Sequence, residues 1–369
     1  MGGFAIRAPR VSRNRRVMDT LTHGLAGAML GRAIAGDENV PAIVAVSAAG
    51  AMFPDLDAFF LPGSFFSLGD TLDYLRYHRG VTHSFLLAPA FAVGIALVAR
   101  LVARRTPGAR LFLAALVGIV SHILFDWITS YGTMFFAPVS WRRFALDWVF
   151  ILDPYFTGIP LAALILALVF RSRGGRLAIA GSLALFAYVG FCGVVHARAT
   201  AVAKAKFPGA IVSALPQPFS PRRWALFAAR SDSIDVAYVG LGAPPVEIAP
   251  PPSPGGNRFL QVLARLRGSY PAPGVAPVET FPRNENDPAV RTADASREVE
   301  IWRAFARFPV AGVERLPGGG ARVTLTDLRF RGPWGSPAFE YEVLLDAGGR
   351  RRAAGFVRLF VTGETKHRK

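Results

Sequence analysis

The sequence predicts a mainly α protein: a polytopic helical membrane domain over residues 18–199, then a small α+β or β-rich soluble domain over residues 200–369. Three observations carry this prediction. Hydrophobic residues make up 52% of the 369, more than an ordinary soluble domain holds. The long apolar runs all lie before Ala199. Beyond it, Pro- and Gly-rich stretches (250–254, 255–256, 271–277) separate short segments that alternate with period two, such as 321–325 and 339–344. Alternation bounded by turn residues reads as strands.

The elements follow in order. Residues 1–17 carry Arg7, Arg10, Arg13, Arg15 and Arg16 with little periodicity, a basic extension that leaves Met18 as an alternative start. The next apolar stretch contains His23 and lacks a convincing cleavage site, so no secretory signal is expected. Leu21 to Ala35 and Val40 to Phe53 are each shorter than the ~20 residues of a usual spanning helix. Gly24, Gly27 and Gly31, three and four apart, let another helix approach closely, which suggests a membrane-embedded hairpin. Ser84 to Ala103 reads as a transmembrane helix kinked at Pro89, and Leu111 to Ile128 as a second that carries His122 and Asp126. Trp148 to Phe170 holds a third, interrupted at Asp153-Pro154, and Leu177 to Val195 is the last long run.

Charge narrows the partners. The 42 Lys and Arg against 25 Asp and Glu give a formal charge of +17, which in another setting suggests nucleic acid. Here the cations sit in short clusters around apolar runs without interleaved stacking aromatics. Anionic membrane lipid is the expected partner, and no nucleic acid. The single Cys192 excludes a disulfide framework or a Cys-based zinc site, and reads as a small buried hydrophobe.

Four of the six histidines stand at the ends of apolar segments beside hydroxyl or carboxylate residues, where a polar side chain is costly without a partner or a task. If every segment crosses, His23 opens the first, Asp55 closes the second, His83 opens the third, Asp126 closes the fourth and Asp153 opens the fifth. All then meet at one membrane face. The opposite loops are short and basic (Arg100, Arg104, Arg105, Arg110; Arg171, Arg173, Arg176), hence cytoplasmic. The polar face and the C-terminal domain are therefore expected outside, in a periplasm. The arginines before Met18 contradict this unless Met18 is the start or the orientation is reversed.

Residue by residue, the chemistry leaves alternatives. His122 and Asp126 share a helix face four apart, able to hold an ion or to hydrogen-bond each other. His78 and His83 flank Arg79-Gly80-Val81-Thr82. Gly80 permits a tight turn, Thr82 is placed to cap the next helix, and Arg79 could neutralise an oxyanion or sit among headgroups. Asp55 and Asp57, after the helix-ending Pro54, could bind metal or orient water, or form a solvated turn. Asp19 with His23, and Asp147 and Asp153, fit caps or supporting groups as well as ligands. His196 reads as interfacial, His367 as solvated, and Trp127, Tyr131, Trp141 and Trp148 as an aromatic belt.

Met18-Asp19-Thr20-Leu21-Thr22-His23-Gly24-Leu25-Ala26-Gly27, Phe53-Pro54-Asp55-Leu56-Asp57, Tyr77-His78-Arg79-Gly80-Val81-Thr82-His83-Ser84 and His122-Ile123-Leu124-Phe125-Asp126-Trp127 occur in that order. Over residues 18 to 200 the chain thereby resembles the YdjM-type family of bacterial inner-membrane proteins, named membrane-bound metal-dependent hydrolases. That family is distantly similar to zinc-dependent phospholipase C and related single-strand nucleases. The resemblance implies His23, Asp55, His78, His83, His122 and Asp126 as metal ligands, and a mono- or dinuclear site, because not every ligand of a trinuclear one is matched. The expectation is a multi-pass protein of the bacterial inner membrane. Its divalent ion, zinc or else manganese or iron, activates water against a phosphoester of a small-molecule, lipid or lipid-linked substrate. Asp55 or Asp57 would be general base, and Arg79 would hold developing negative charge. The rivals are a non-enzymatic envelope protein with a structural metal, and a metal-ion or proton transporter. A transporter would carry polar residues through the bilayer rather than at one face.

Overall fold

The computed structural model describes residues 16–60, 71–243, 268–335 and 340–358. The basic extension, the 250–256 stretch, His367, Phe339 and the Asp19 side chain lie outside the described residues. The chain divides into two compact units, Asn14–Arg198 with Pro216–Pro221, and Ala199–Leu215 with Arg222–Lys369.

The first unit is helical. α1 (Arg16–Ile34) and α2 (Val40–Met52) form the expected hairpin, with Pro41 in the first turn of α2, where a missing N–H costs nothing. A Cβ on Gly27 or Gly31 would strike Ala51 or Ser47 of α2, and one on Gly118 would strike the Ser47 carbonyl. Small residues therefore set the distance of α2 from both α1 and α6 (Gly108–Trp127). A 3₁₀ turn (Pro54–Leu56) leads into α3 (Asp57–Phe60), and α4 (Thr71–Tyr77) into a second 3₁₀ turn, Val81–His83.

α5 (Ala88–Val102) starts four residues later than the apolar run predicts. Ser84 is extended, and the Phe85 N–H is taken by the Phe135 carbonyl at 3.0 Å. Pro89 consequently falls in the first turn, where its ring is accommodated, and does not kink the helix. Thr82 caps nothing; it lies inside the 3₁₀ turn with its hydroxyl on Asp57. The third predicted helix begins only at Pro154, as α7 (Pro154–Val169), because Asp153 Oδ1 accepts from the Tyr155 and Phe156 N–H groups as an N-cap. α8 (Gly174–Lys206) runs 33 residues, past the end of its apolar stretch.

By length and composition α6 and 171–206 can cross a membrane. A third crossing exists if Leu72–His83 and α5, bent by 75°, make one span. α2 and α7 are shorter apolar helices. Large apolar side chains are exposed on α5 (Leu97, Val98, Leu101) and α8 (Ile179, Leu183, Phe186).

The second unit is β-rich. Two four-stranded antiparallel sheets run in sequence order: β1 (Ile211–Pro216), β2 (Arg223–Ala229), β3 (Ser233–Gly240), β4 (Glu279–Pro282); and β5 (Pro309–Arg315), β6 (Ala321–Asp327), β7 (Glu340–Leu345), β8 (Arg351–Arg358). β6 shows the predicted alternation, with Ala321, Val323, Leu325 and Asp327 buried. Phe227, Val236 and Leu215 of the first sheet share a core with Phe308 and Val310, at the start of the second. Two short helices, α9 (Pro288–Asp294) and α10 (Arg297–Phe305), are capped by Asp287 and Ser296.

Candidate metal centre

The close α2–α6 contact brings the last turn of α2 against His122. The Ala51 carbonyl, in the turn where helical carbonyls lack partners, lies 2.6 Å from His122 Nδ1. A carbonyl only accepts, so Nδ1 carries a proton and, in the neutral ring, Nε2 keeps a lone pair. His83 reaches the same state by another route. Thr82 Oγ1 donates to Asp57 Oδ2 at 3.0 Å, so at 3.0 Å from His83 Nδ1 it must accept. His83 Nε2 then also carries a lone pair. The two Nε2 atoms face each other at 3.1 Å, both rings fully buried. Lone pairs at that distance repel unless positive charge lies between them, whether a metal ion or a proton on one ring.

Two carboxylates complete the arrangement. Asp126 Oδ2 lies 3.1 Å from His83 Nε2 and 3.5 Å from His122 Nε2. Asp55 Oδ1 lies 3.9 and 3.6 Å from the same two atoms. Metal–ligand bonds of ~2.0–2.2 Å place the donors of a tetrahedral zinc site ~3.3–3.6 Å apart, the range these separations straddle. His23 Nε2 approaches the other Asp126 oxygen at 3.3 Å, its ring stacked on His122 with centroids 3.9 Å apart. Two groups, His23–Asp55–His122 and His83–His122–Asp126, each present donor atoms within 4.8 Å of one another and could hold a metal ion. Both need His122. Its one free nitrogen binds a single ion, so the two groups cannot be filled separately.

Around this lies a supporting shell. Asp57 accepts from His78 Nδ1 at 2.8 Å, from Thr82, and from the Arg79 backbone N–H at 3.2 Å. Burial pushes the Asp57 carboxyl up, but the charge and hydrogen bond of His78, with His83 and Thr82, outweigh it and hold it at about 2. Asp57 lies outside the candidate spans. His78, stacked on Tyr74 at 4.5 Å, belongs to neither donor group among the described residues. Asp55 Oδ2 accepts from Thr20 Oγ1 at 2.6 Å.

Arg79 is 2% exposed. Its Nη2 pairs with Asp126 Oδ1 at 2.9 Å, its Nη1 donates to Thr129 Oγ1 at 3.0 Å, and its plane lies 4.8 Å from the Tyr131 ring. Its backbone is left-handed (φ 63°), a conformation disfavoured for a residue with a Cβ and held here by contacts on both sides. The Met134 N–H donates to the Arg79 carbonyl at 2.9 Å, and Arg143 grips the His78, Gly132 and Leu75 carbonyls at 3.2, 3.1 and 2.6 Å. Asp55, Asp57 and Asp126 lie in one buried site with a single guanidinium, where a bound divalent cation would offset carboxylate charge.

Of the six residues expected as ligands, the structure brings His23, Asp55, His83, His122 and Asp126 within one cluster, and His78 one layer out. Of the three catalytic candidates, Asp55 stands in the cluster, Asp57 behind His78, and Arg79 against Asp126. Asp153 is a cap, bonded also to Tyr188. Asp147 is buried and His196 half-buried. Thr20, Thr129, Arg143 and the Ala51 carbonyl were not foreseen. Thr20, three residues before His23 and so on its helix face, was the one with a visible signal.

A family model described as YdjM inner membrane protein matches residues 18–199. The Bacillus subtilis (strain 168) protein YfhP, described as uncharacterized, is 30% identical over 154 residues, 40% of this chain and 45% of that relative. The chain thus spans under half the length of that curated relative. No solved structure matches.

Proposed function

Residues 18–199 belong to the YdjM inner-membrane protein family, and from that premise we propose that they form a metal-dependent hydrolase acting on a phosphoester of a lipid or lipid-linked molecule. The observation that carries the metal is the set of donor separations of 3.1 to 3.9 Å among His83, His122, Asp55 and Asp126, with two imidazole lone pairs opposed. Nitrogen and oxygen donors suit zinc, with manganese or iron also accommodated. Bound there, such an ion supplies Lewis-acid activation of water.

The chain's own residues set the rest. The Ala51 carbonyl and Thr82 fix which nitrogens of His122 and His83 are free. Thr20 holds one Asp55 oxygen and leaves the other facing the centre, where it ligates the ion or, when unligated, acts as base; the oxygens of Asp57 are taken by His78, Thr82 and a backbone N–H. Arg79 compensates Asp126 and orients it. Arg100, Arg104, Arg105, Arg171 and Arg173 lie at the opposite ends of the helices, which supports a periplasmic side for the centre.

A second reading, a structural metal without catalysis, is favoured by one feature: His83, His122 and Asp126 form a fully buried group of donors. The test is metal content and turnover. The purified protein should bind about one equivalent of divalent metal, lost in His83→Ala and Asp126→Ala, and should hydrolyse model phosphodiesters or extracted lipids with chelator sensitivity. Metal content unchanged in both variants removes the site. Stoichiometric metal without chelator-sensitive turnover leaves the structural reading.

A further inference from the structure

We propose that a narrow cleft beside His23 is the port through which a water-sized ligand reaches the centre. This rests on the metal reading above. Thr22, His23 and Thr129 line the cleft with polar atoms, and Phe125, Val149 and Phe156 with apolar ones. Its volume of ≈ 20 Å³ exceeds the roughly 10–15 Å³ that a water requires. A buried water also needs two to four polar partners, and the two hydroxyls with the imidazole supply them.

Thr129 Oγ1 donates to the Asp126 carbonyl at 2.8 Å and accepts from Arg79, so it is fastened to the centre. Thr22 Oγ1 is held at 2.9 Å by Thr157 of α7. His23 stands between them, its Nε2 on Asp126. Ile151, 37% exposed, is the lining residue named here that solvent reaches, whereas the others are under a tenth exposed. The walls carry no cation or anion besides His23 itself. The port therefore admits water and small monodentate ligands, and excludes a bulky substrate, which must meet the centre from another side.

The test replaces the native ion with Co²⁺, whose visible spectrum reports its ligands, and uses azide as the small probe. Wild-type Co²⁺ protein should change spectrum on azide addition. In Ile151→Cys, alkylated after folding with a bulky methanethiosulfonate, the change should be about tenfold slower, ~1.4 kcal/mol of added barrier, and should recover on reduction. Cys192, 1% exposed, stays out of reach of the reagent. Ile151→Trp should behave as the blocked form at unchanged Co²⁺ content. An azide rate indifferent to both blocks overturns the port while leaving the metal site intact. Bound Co²⁺ with no azide response shows a closed shell and overturns it as well. No Co²⁺ uptake by the wild type defeats the metal reading itself.

Discussion

At the scale of single residues, the site is a problem of buried charge. Asp126 and Arg79 are both almost fully enclosed and 2.9 Å apart. Removing one partner leaves the other uncompensated, which costs about 3–5 kcal/mol, whereas removing both restores neutrality. Asp126→Ala should therefore be strongly destabilised in detergent unfolding, and Arg79→Met/Asp126→Ala should recover a substantial part of the loss. Strictly additive effects would show that the pair is not coupled. Asp57 gives the acid limb. Its carboxyl is held at about 2, below its ordinary 3.8, so its stabilisation is complete above 3.8 and disappears as pH falls through about 2. In Asp57→Asn the stability difference from wild type should shrink over that interval; curves that stay parallel would refute the assignment. The histidines and aspartates of this cluster were legible because imidazole and carboxylate are conspicuous at apolar boundaries. Their division into cluster and support was not, because it depends on contacts such as Arg79 to Asp126 and Thr82 to Asp57 that no local pattern encodes. Arg143 was illegible for the same reason: it acts on backbone carbonyls, which every residue has.

At the scale of elements, helix spacing is what lets the ligands meet. Gly118 of α6 lies where a Cβ would overlap the Ser47 carbonyl and Ala51 backbone of α2, one turn before His122. Gly118→Ala should cost roughly 1–3 kcal/mol through overpacking, and should weaken metal binding as well, because the Ala51 carbonyl that orients His122 rides on the displaced helix. Gly94 of α5 is the control. Nothing lies within 4 Å of its Cβ position, so Gly94→Ala should leave metal binding unchanged and stability unchanged or higher by about 0.5–1 kcal/mol. Equal metal affinity in both variants would detach α2–α6 spacing from the site. The hairpin and α6 were readable from apolar length and the Gly24-Gly27-Gly31 spacing. The starts of α5 and α7 were not, since apolar runs do not show that Phe85 is pulled to Phe135 or that Asp153 caps the next helix.

At the scale of the whole molecule, the charge asymmetry predicts an orientation. Arg32 donates to the Gly36 carbonyl at 3.2 Å and packs on Gly174, and Arg110 donates to the Ala35 carbonyl, so the α1–α2, α5–α6 and α7–α8 turns gather at one end. The metal cluster stands at the other ends of α2 and α6. Short loops rich in arginine stay cytoplasmic, because moving them across the bilayer against the membrane potential costs free energy for every charge. Intact cells with Cys192→Ser as background test this by labelling with an impermeant maleimide. Val139→Cys, 82% exposed at position 139 in the loop beside the cluster, should label from outside. Arg105→Cys, exposed in the α5–α6 turn, should label only after permeabilisation. The reverse pattern would put the cluster in the cytoplasm, where the proposed phosphoester would have to come from the inner leaflet. Labelling of both positions from outside would mean that the segments between them do not cross, and α6 would then be an apolar helix buried in protein and not a span.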